Sequence, residues 1–244
     1  MQNLPTVVGN KFTTYLLYAV GEIVLVVIGI LIAVSVNNWN QRRKTQDDQL
    51  RIYSNIVDDL RKDSLAFNRM MGLSKLHLQT YYHIYYETIG KRKYADSIPY
   101  DLLSVTKTFR PTARQNHLST IEKIQSDEVR ILMNDYFFME YRSQEAADDF
   151  NRVIKQEARP YLNETGLINL PVVFHPDMYE FYPQEGTLIN YEKLKAVFAK
   201  KGFKGVLSNL RLGIGYFISE LELLQRENAK LIQDLQTKIS SGIE

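Results

Sequence analysis

Two stretches of the chain carry apolar side chains at alternating steps of three and four residues. The first runs through Leu50, Tyr53, Val57, Leu60, Phe67, Met71, Leu78, Tyr81 and Tyr85, with Ser64 and Ser74 filling its two gaps. The second runs through Leu207, Leu210, Ile214, Phe217, Leu221, Leu224, Asn228, Leu231 and Leu235. This is the a/d seam of a helix, so the spacing predicts long helices over about 45–89 and about 204–240. Gly90 and the basic residues after it end the first. Asn228 takes a core position in the second, where a polar side chain fixes register. Each helix would be about 50 Å long with one seam to cover, and antiparallel pairing lets the two cover each other, the middle of the chain elaborating the side or tip. A parallel oligomeric coiled coil built on either helix is the alternative.

Between them the pattern stays helical but broken. Pro99 begins a short helix reaching about Thr106, Arg110-Pro111 interrupts, and a second short helix is expected over 112–124. Ser126 is an N-cap, followed by Asp127 and Glu128, which suit a first turn. It opens a helix to about Leu162, with Val129, Leu132, Met133, Tyr136, Phe137, Phe150 and Ile154 at its apolar positions, and Arg159-Pro160 kinks or shortens it. Residues 166–186 contain Pro171, Pro176 and Pro183 and no sustained period, which predicts a loop or short irregular structure. Asn190 then caps a short helix ending near Gly202.

Ahead of both seams lies a different pattern. Residues 15–36 read YLLYAVGEIVLVVIGILIAVSV, with Glu22 the single charge and no proline. As a helix this stretch measures about 33 Å, enough to cross a hydrocarbon core of about 30 Å. Each Leu, Ile and Val favours insertion by roughly 0.3 to 0.6 kcal/mol near the centre, against about 3 kcal/mol for one central acid, so Glu22 weakens the anchor without abolishing it. Tyr15, Tyr18 and Trp39 stand at the edges and Arg42-Arg43-Lys44 follow, as interfacial residues do. A cleaved signal peptide and a buried core helix are the competing readings, with Ala33-Val34-Ser35 resembling a small-residue cleavage site. At about 100° per residue, Glu22, Val26, Gly29, Ala33 and Val36 share one narrow stripe, and Gly29 with Ala33 lets another backbone approach. The stripe is a candidate packing face for another membrane helix, a copy of itself or a different protein. In the alternative Glu22 reaches to the near interface and Gly29 is incidental.

Composition narrows the chemistry. Among 244 residues, 30 Lys and Arg are evenly mixed with 28 Asp and Glu, which argues against a nucleic-acid groove. Cysteine is absent, which excludes a disulfide framework, a Cys-ligated metal site and a thiol nucleophile. The sequence shows no Walker loop, G-x-S-x-G, H-E-x-x-H or glycine fingerprint, so no catalytic residue and no cofactor is assigned. His83 and Glu87, four apart, could face one way as metal ligands with His77 nearby. A packing histidine is the commoner outcome, and no metal site is assigned. Tyrosine numbers 16 and gathers at 81–86, 135–141 and 174–183. Phe174, Tyr179, Phe181 and Tyr182 form a candidate recognition loop, since aromatic rings give contact area at low entropy cost, although core packing is the commoner use of tyrosine.

The span as written, YLLYAVGEIVLVVIGILIAVSVNNWN followed by QRRK, resembles the opening of a bacterial family of uncharacterised membrane proteins, classed as a domain of unknown function. Phe109-Arg110-Pro111, the helix with Glu122 and Ile124, then SDEVRILMNDYF and NLRLGIGYFISELELL look like that family's later segments, so the resemblance covers nearly the whole chain. It implies no activity. Gly21-Glu22 and the Asn-Asn-Trp-Asn of residues 37–40 match recurrent features of the family. Members often carry several basic residues before the span, which implies a soluble domain outside the cytoplasm. This chain has only Lys11 there, and a plain count of Lys and Arg places the domain inside. The resemblance tips the expectation to the extracytoplasmic side of a bacterial inner membrane.

The expected architecture is all-α: a short tail over 1–14, one transmembrane helix over 15–36, and a helical soluble domain over 37–244 built on two long, antiparallel, coiled-coil-like helices, with central helices and a loop over 95–202. The expected function is a non-catalytic, membrane-anchored scaffold or accessory subunit acting through protein contacts. The alternative is an extracytoplasmic sensor or ligand-binding module working with a separate signalling partner. Expected partners are the lipid bilayer and another membrane helix, not nucleic acid, and the sequence names no small-molecule ligand.

Overall fold

A computed structural model of the chain describes residues 9–174 and 187–242, with side chains described from residue 14. Its helices are α1 (Gly9–Thr88), α2 (Thr112–His117), α3 (Asp127–Val153), α4 (Arg159–Glu164), α5 (Leu170–Val173), α6 (Tyr191–Val197) and α7 (Lys201–Ser241). Tight 3-10 turns occupy Tyr100–Leu103 and Ile121–Lys123, and a wide π turn occupies Ile154–Ala158. Among the described residues no strand forms, only an isolated bridge between Ile168 and Ile189. The all-α reading therefore holds. The helices expected over 15–36 and from residue 45 onward are both parts of α1.

The chain divides into two compact units, Met1–Arg51 with Gly242–Glu244, and Ile52–Ser241. In the first, every side chain over residues 14–44 is exposed. The Arg43 guanidinium lies over the Trp39 ring at 5.9 Å, and Arg51 pairs with Asp48 at 2.9 Å.

The second unit is a helical bundle. Along residues 52–88 of α1, Ser64 meets Asn228, Asn68 meets Gln225 and Lys75 meets Glu222, so α7 runs antiparallel to α1. α3 packs closely along α7 and is also antiparallel to it, Tyr136 facing Asn228 and Arg142 facing Glu220. The two long helices thus share a core with a third. α3 is more than an elaboration of the side or tip, because its own apolar row of Val129, Met133, Tyr136, Phe150 and Ile154 needs cover and finds it on α7. At Gly213 an added Cβ would stand 3.3 Å from the Phe150 ring, so the two helices cross closely there and a side chain would press on that ring.

All nine predicted seam residues of α7 are buried, Asn228 included. On α1 the seam residues Tyr53, Val57, Leu60, Phe67, Met71, Ser74 and Tyr81 are buried and Leu50 and Ser64 half-buried, but Leu78 is only half-buried and Tyr85 exposed, while His77 and Ile84 are buried as well. The buried face widens because the segment after Gly90 folds back over this end of α1, setting the Leu102 carbonyl on the Tyr81 hydroxyl and the Lys93 carbonyl on His83. Gly90 permits that reversal. Its φ of 73° is left-handed, and the Lys91 N–H reaches the Tyr86 carbonyl at 2.8 Å, capping α1.

The caps read from the sequence form. Ser126 accepts from the Val129 N–H at 3.3 Å, and Asn190 accepts from the Lys193 N–H at 3.1 Å. The helix expected over 112–124 is the six-residue α2 followed by a 3-10 turn, and the helix expected from Pro99 is the 3-10 turn at Tyr100–Leu103. The one expected to reach Leu162 is interrupted by the π turn, in which the Arg159 N–H bonds the Ile154 carbonyl five residues back. Phe150, Ile154, Ala158 and Leu162 are all buried although each stands four residues after the last. On a regular helix such a row would rotate by about 40° per step, and the wide turn takes up part of that surplus.

Candidate functional site

Polar side chains gather at two places in the Ile52–Ser241 bundle. The first lies where α1, α3 and α7 meet. Asn228 donates through Nδ2 to the Leu60 carbonyl at 3.1 Å and to the Tyr136 hydroxyl at 2.9 Å, while its Oδ1 accepts from the Ser64 hydroxyl. One turn along α3, Glu140 is wholly buried with neither carboxyl oxygen hydrogen-bonded. Burial pushes its carboxyl up to about 8. The Tyr136 hydroxyl and Arg114 oppose the shift, and the Asp63 carboxylate adds to it. Near neutral pH Glu140 is therefore mostly uncharged.

Asp63, also buried, accepts the backbone N–H groups of Thr112 and Ala113 at 2.7 Å each, so a side chain of α1 caps the start of α2. One turn earlier Asp59 accepts from Asn116 at 2.7 Å and from His117 Nε2 at 3.0 Å, and pairs with Lys62 at 2.7 Å. Burial disfavours its charge, but the bonds from Asn116, Lys62 and His117 outweigh that and hold the carboxyl below the usual range. Two carboxylates four residues apart thus fasten α2 to α1.

The second cluster closes the end of α1. Glu87 accepts from the Tyr100 hydroxyl at 2.5 Å and the Tyr191 hydroxyl at 3.2 Å, and lies 2.9 Å from His83 Nε2. The rings of Tyr94, Tyr100 and Tyr191 pack together, the closest pair 4.2 Å apart. Burial and then the neighbouring carboxylate push the Tyr191 hydroxyl up to about 12. Arg92 lies 3.2 Å from His83 Nδ1, which makes Nδ1 the acceptor and leaves the proton on Nε2, facing Glu87 and the Lys93 carbonyl.

His83 and Glu87 do share a face, but they are bonded to each other and both ring nitrogens have partners. His77 contacts the Tyr81 hydroxyl at 3.1 Å and packs edge-on to Phe150, and burial with nearby Lys107 holds its imidazole down to about 3. No group of three or more metal-ligating side chains occurs among the described residues. The cluster is a hydrogen-bonded clasp joining the end of α1 to α6.

The candidate packing face of Glu22, Val26, Gly29 and Ala33 is exposed along its whole length on α1, and a Cβ added at Gly29 would meet nothing. In the candidate recognition loop, Phe174 is exposed just after α5, while Tyr179, Phe181 and Tyr182 lie outside the described residues. Other tyrosines divide. Tyr53, Tyr81, Tyr100 and Tyr136 are core residues, whereas Tyr82, Tyr85, Tyr94 and Tyr141 are exposed. Tyr81, Tyr82 and Tyr85 line a cavity of about 480 Å³ with Ile89, Leu207 and Arg211. The sequence reading missed Asp63, Glu140 and the tyrosine partners of Glu87.

No curated protein and no solved structure matches the chain. Less than a third of it matches a family model, and that portion carries the Glu22 stripe, Asp63, His83 and Glu87 together. Over residues 22–97 the chain is similar to a family of unknown function (DUF6090).

Proposed function

We propose that the protein is a membrane-anchored helical scaffold or accessory subunit, working through protein contacts and without a reaction of its own. One observation carries this reading: the apolar stretch in α1 is long enough to cross a membrane, and none of it is buried. Burying one Leu, Ile or Val is worth roughly 1.5–3 kcal/mol, so a surface built from so many of them needs a cover, and a bilayer fits its length. A helix of a soluble core would instead be covered by its own chain. The open Glu22 stripe, with Gly29 and Ala33, offers a contact to another membrane helix, where Glu22 finds a partner it lacks in lipid. The bundle belongs, in this reading, on the extracytoplasmic side of a bacterial inner membrane.

The test is purification of the full chain in mild detergent, with identification of whatever accompanies it. A stoichiometric partner or a homo-oligomer is expected, and an unaccompanied monomer overturns the scaffold. The anchor is tested separately, by retention in the membrane fraction after an alkaline wash. Protease protection in intact spheroplasts reads the side. A second reading, a ligand-binding module with a separate signalling partner, draws support from the aromatic cavity beside Arg211. Retention of a defined small molecule through purification would favour it.

A further inference from the structure

A cleft of about 720 Å³ opens between residues 107–118 and α3, beside the first polar cluster, whose Asp59 and Asp63 hold α2 from the α1 side. Lys107, Arg110 and Arg114 line it with Gln115, Gln144 and one acid, Asp148. Among the described residues none of the three cations is paired with a carboxylate within 4 Å. A surplus of positive charge therefore stands in a concave site, three cations against the single carboxylate of Asp148.

The framework that carries these cations is fixed at several points. Asn151 grips the Lys107 backbone from both sides, accepting its N–H and donating to its carbonyl at 2.7 Å each. Phe109 is buried, stacked on Phe67 at 5.8 Å and edge-on to Phe217 at 6.3 Å. Asp63 holds the N–H groups of Thr112 and Ala113, and the Arg114 guanidinium lies over the Tyr141 ring at 5.6 Å. Little further backbone ordering is needed when a ligand arrives, which favours binding.

Lys107 is only 8% exposed, and burial pushes its ammonium down to about 8. A buried unpaired charge is unfavourable, and an anion brought next to it relieves the cost. Three cations against one acid leave two charges to balance, which a phosphate dianion does. Guanidinium forks and side-chain amides supply the donors its oxygens accept.

We infer that this cleft binds a phosphate monoester or inorganic phosphate, held by Arg110 and Arg114 with Lys107 as the third cation. Free phosphate, a phosphorylated small molecule and a phosphatidate headgroup share this chemistry.

The experiment is isothermal titration of inorganic phosphate into the full chain in a neutral maltoside detergent at low salt, with acetate as the monoanion comparison. Saturable binding at one site per chain, stronger for phosphate than for acetate, is expected. Arg110→Ala should weaken it by about tenfold or more, and this side chain is exposed and unpaired, so the bundle survives its loss. Near pH 8, repeating the titration in two buffers of different ionisation enthalpy should show proton uptake that disappears in Lys107→Met and persists in Arg110→Ala. Of the other groups nearby, His77 is held down to about 3 and is already neutral, while Glu140, pushed up to about 8 by burial and influenced by Arg114, is removed from the readout by repeating the measurement in a Glu140→Met background. Nanodiscs with phosphatidate, against nanodiscs of phosphatidylcholine alone, separate the sources: binding confined to phosphatidate discs assigns the lipid headgroup. The inference is overturned by the absence of saturable binding in every arm, or by Arg110→Ala and Lys107→Met variants that bind as the parent does.

Discussion

Asn228 of α7 donates an amide hydrogen to the hydroxyl of Tyr136 of α3 across 2.9 Å, in the dry middle of the bundle. The same side chain holds the Leu60 carbonyl and the Ser64 hydroxyl of α1, so one residue ties three helices at a single level. Asn228→Ala should cost roughly 2–4 kcal/mol, because it strands buried polar partners as well as removing contacts. Asn228→Leu should cost less, while loosening the register that a single polar contact specifies. Urea unfolding of the full chain in detergent, followed by far-UV circular dichroism, reads both. A loss under about 1 kcal/mol for the alanine variant would show that the polar junction adds nothing to stability.

Asp63 acts at longer range in the sequence, capping α2 with two charge-assisted bonds. Asp63→Ala should destabilise the bundle by roughly 2–4 kcal/mol, and Asp63→Asn by less, since its single acceptor keeps one bond. Hydrogen exchange gives a local check. The amides of Thr112 and Ala113 should lose protection in the alanine variant, while amides in the middle of α7 change only with global stability.

Glu140 makes stability depend on pH in an unusual direction for a carboxylate. Folded, it keeps its proton up to about 8, and its ordinary value is 4.5. Over that interval the unfolded chain binds fewer protons, so stability is fully present below the ordinary value and declines as pH rises towards 8. Glu140→Met should remove this slope and stabilise the protein at pH 8 by roughly 1–4 kcal/mol. His77, depressed from 6.5 to about 3, works the other way, its contribution present above 6.5 and lost as pH falls. Comparing parent and variant at each pH isolates Glu140, and parallel curves from pH 5 to 8 would sink the assignment.

The membrane stripe gives a periodic prediction. With single cysteines placed over residues 22–36, crosslinking in the membrane should peak at positions 22, 26, 29 and 33 and fall between them. A flat profile would remove the packing face while leaving the anchor untouched.

What the sequence made legible was local. The α7 seam, the Ser126 and Asn190 caps and the Gly90 stop each depend on residues within a turn or two of one another, and each formed as read. The α1 seam departs from the reading at Leu78 and Tyr85, though Ser74 and Tyr81 stay buried, because a segment after Gly90 returns to cover His77, His83 and Ile84 as well, a tertiary event that periodicity along one helix does not encode. Glu140 stands on the apolar row of α3, four residues after Tyr136, so its burial carried a signal that went unused. Asp63 gave none, because its partners are backbone groups 49 and 50 residues away. The spacing of His83 and Glu87 was visible, but only the arrival of Tyr100 and Tyr191 shows the pair to be a clasp.

The wide turn at Ile154–Ala158 makes one stretch of the chain tolerant of a change in length. Removing a single residue inside it, such as Gln156, would let ordinary helical geometry return, with Ala158 and Leu162 following Ile154 by three and then four positions. Those steps point within about 60° of Ile154, so both side chains would still aim at the core. Shortening by one residue within α3 itself would twist everything downstream out of alignment. The bulge is thus a built-in slack point, where the polypeptide can lose a link and keep its aim.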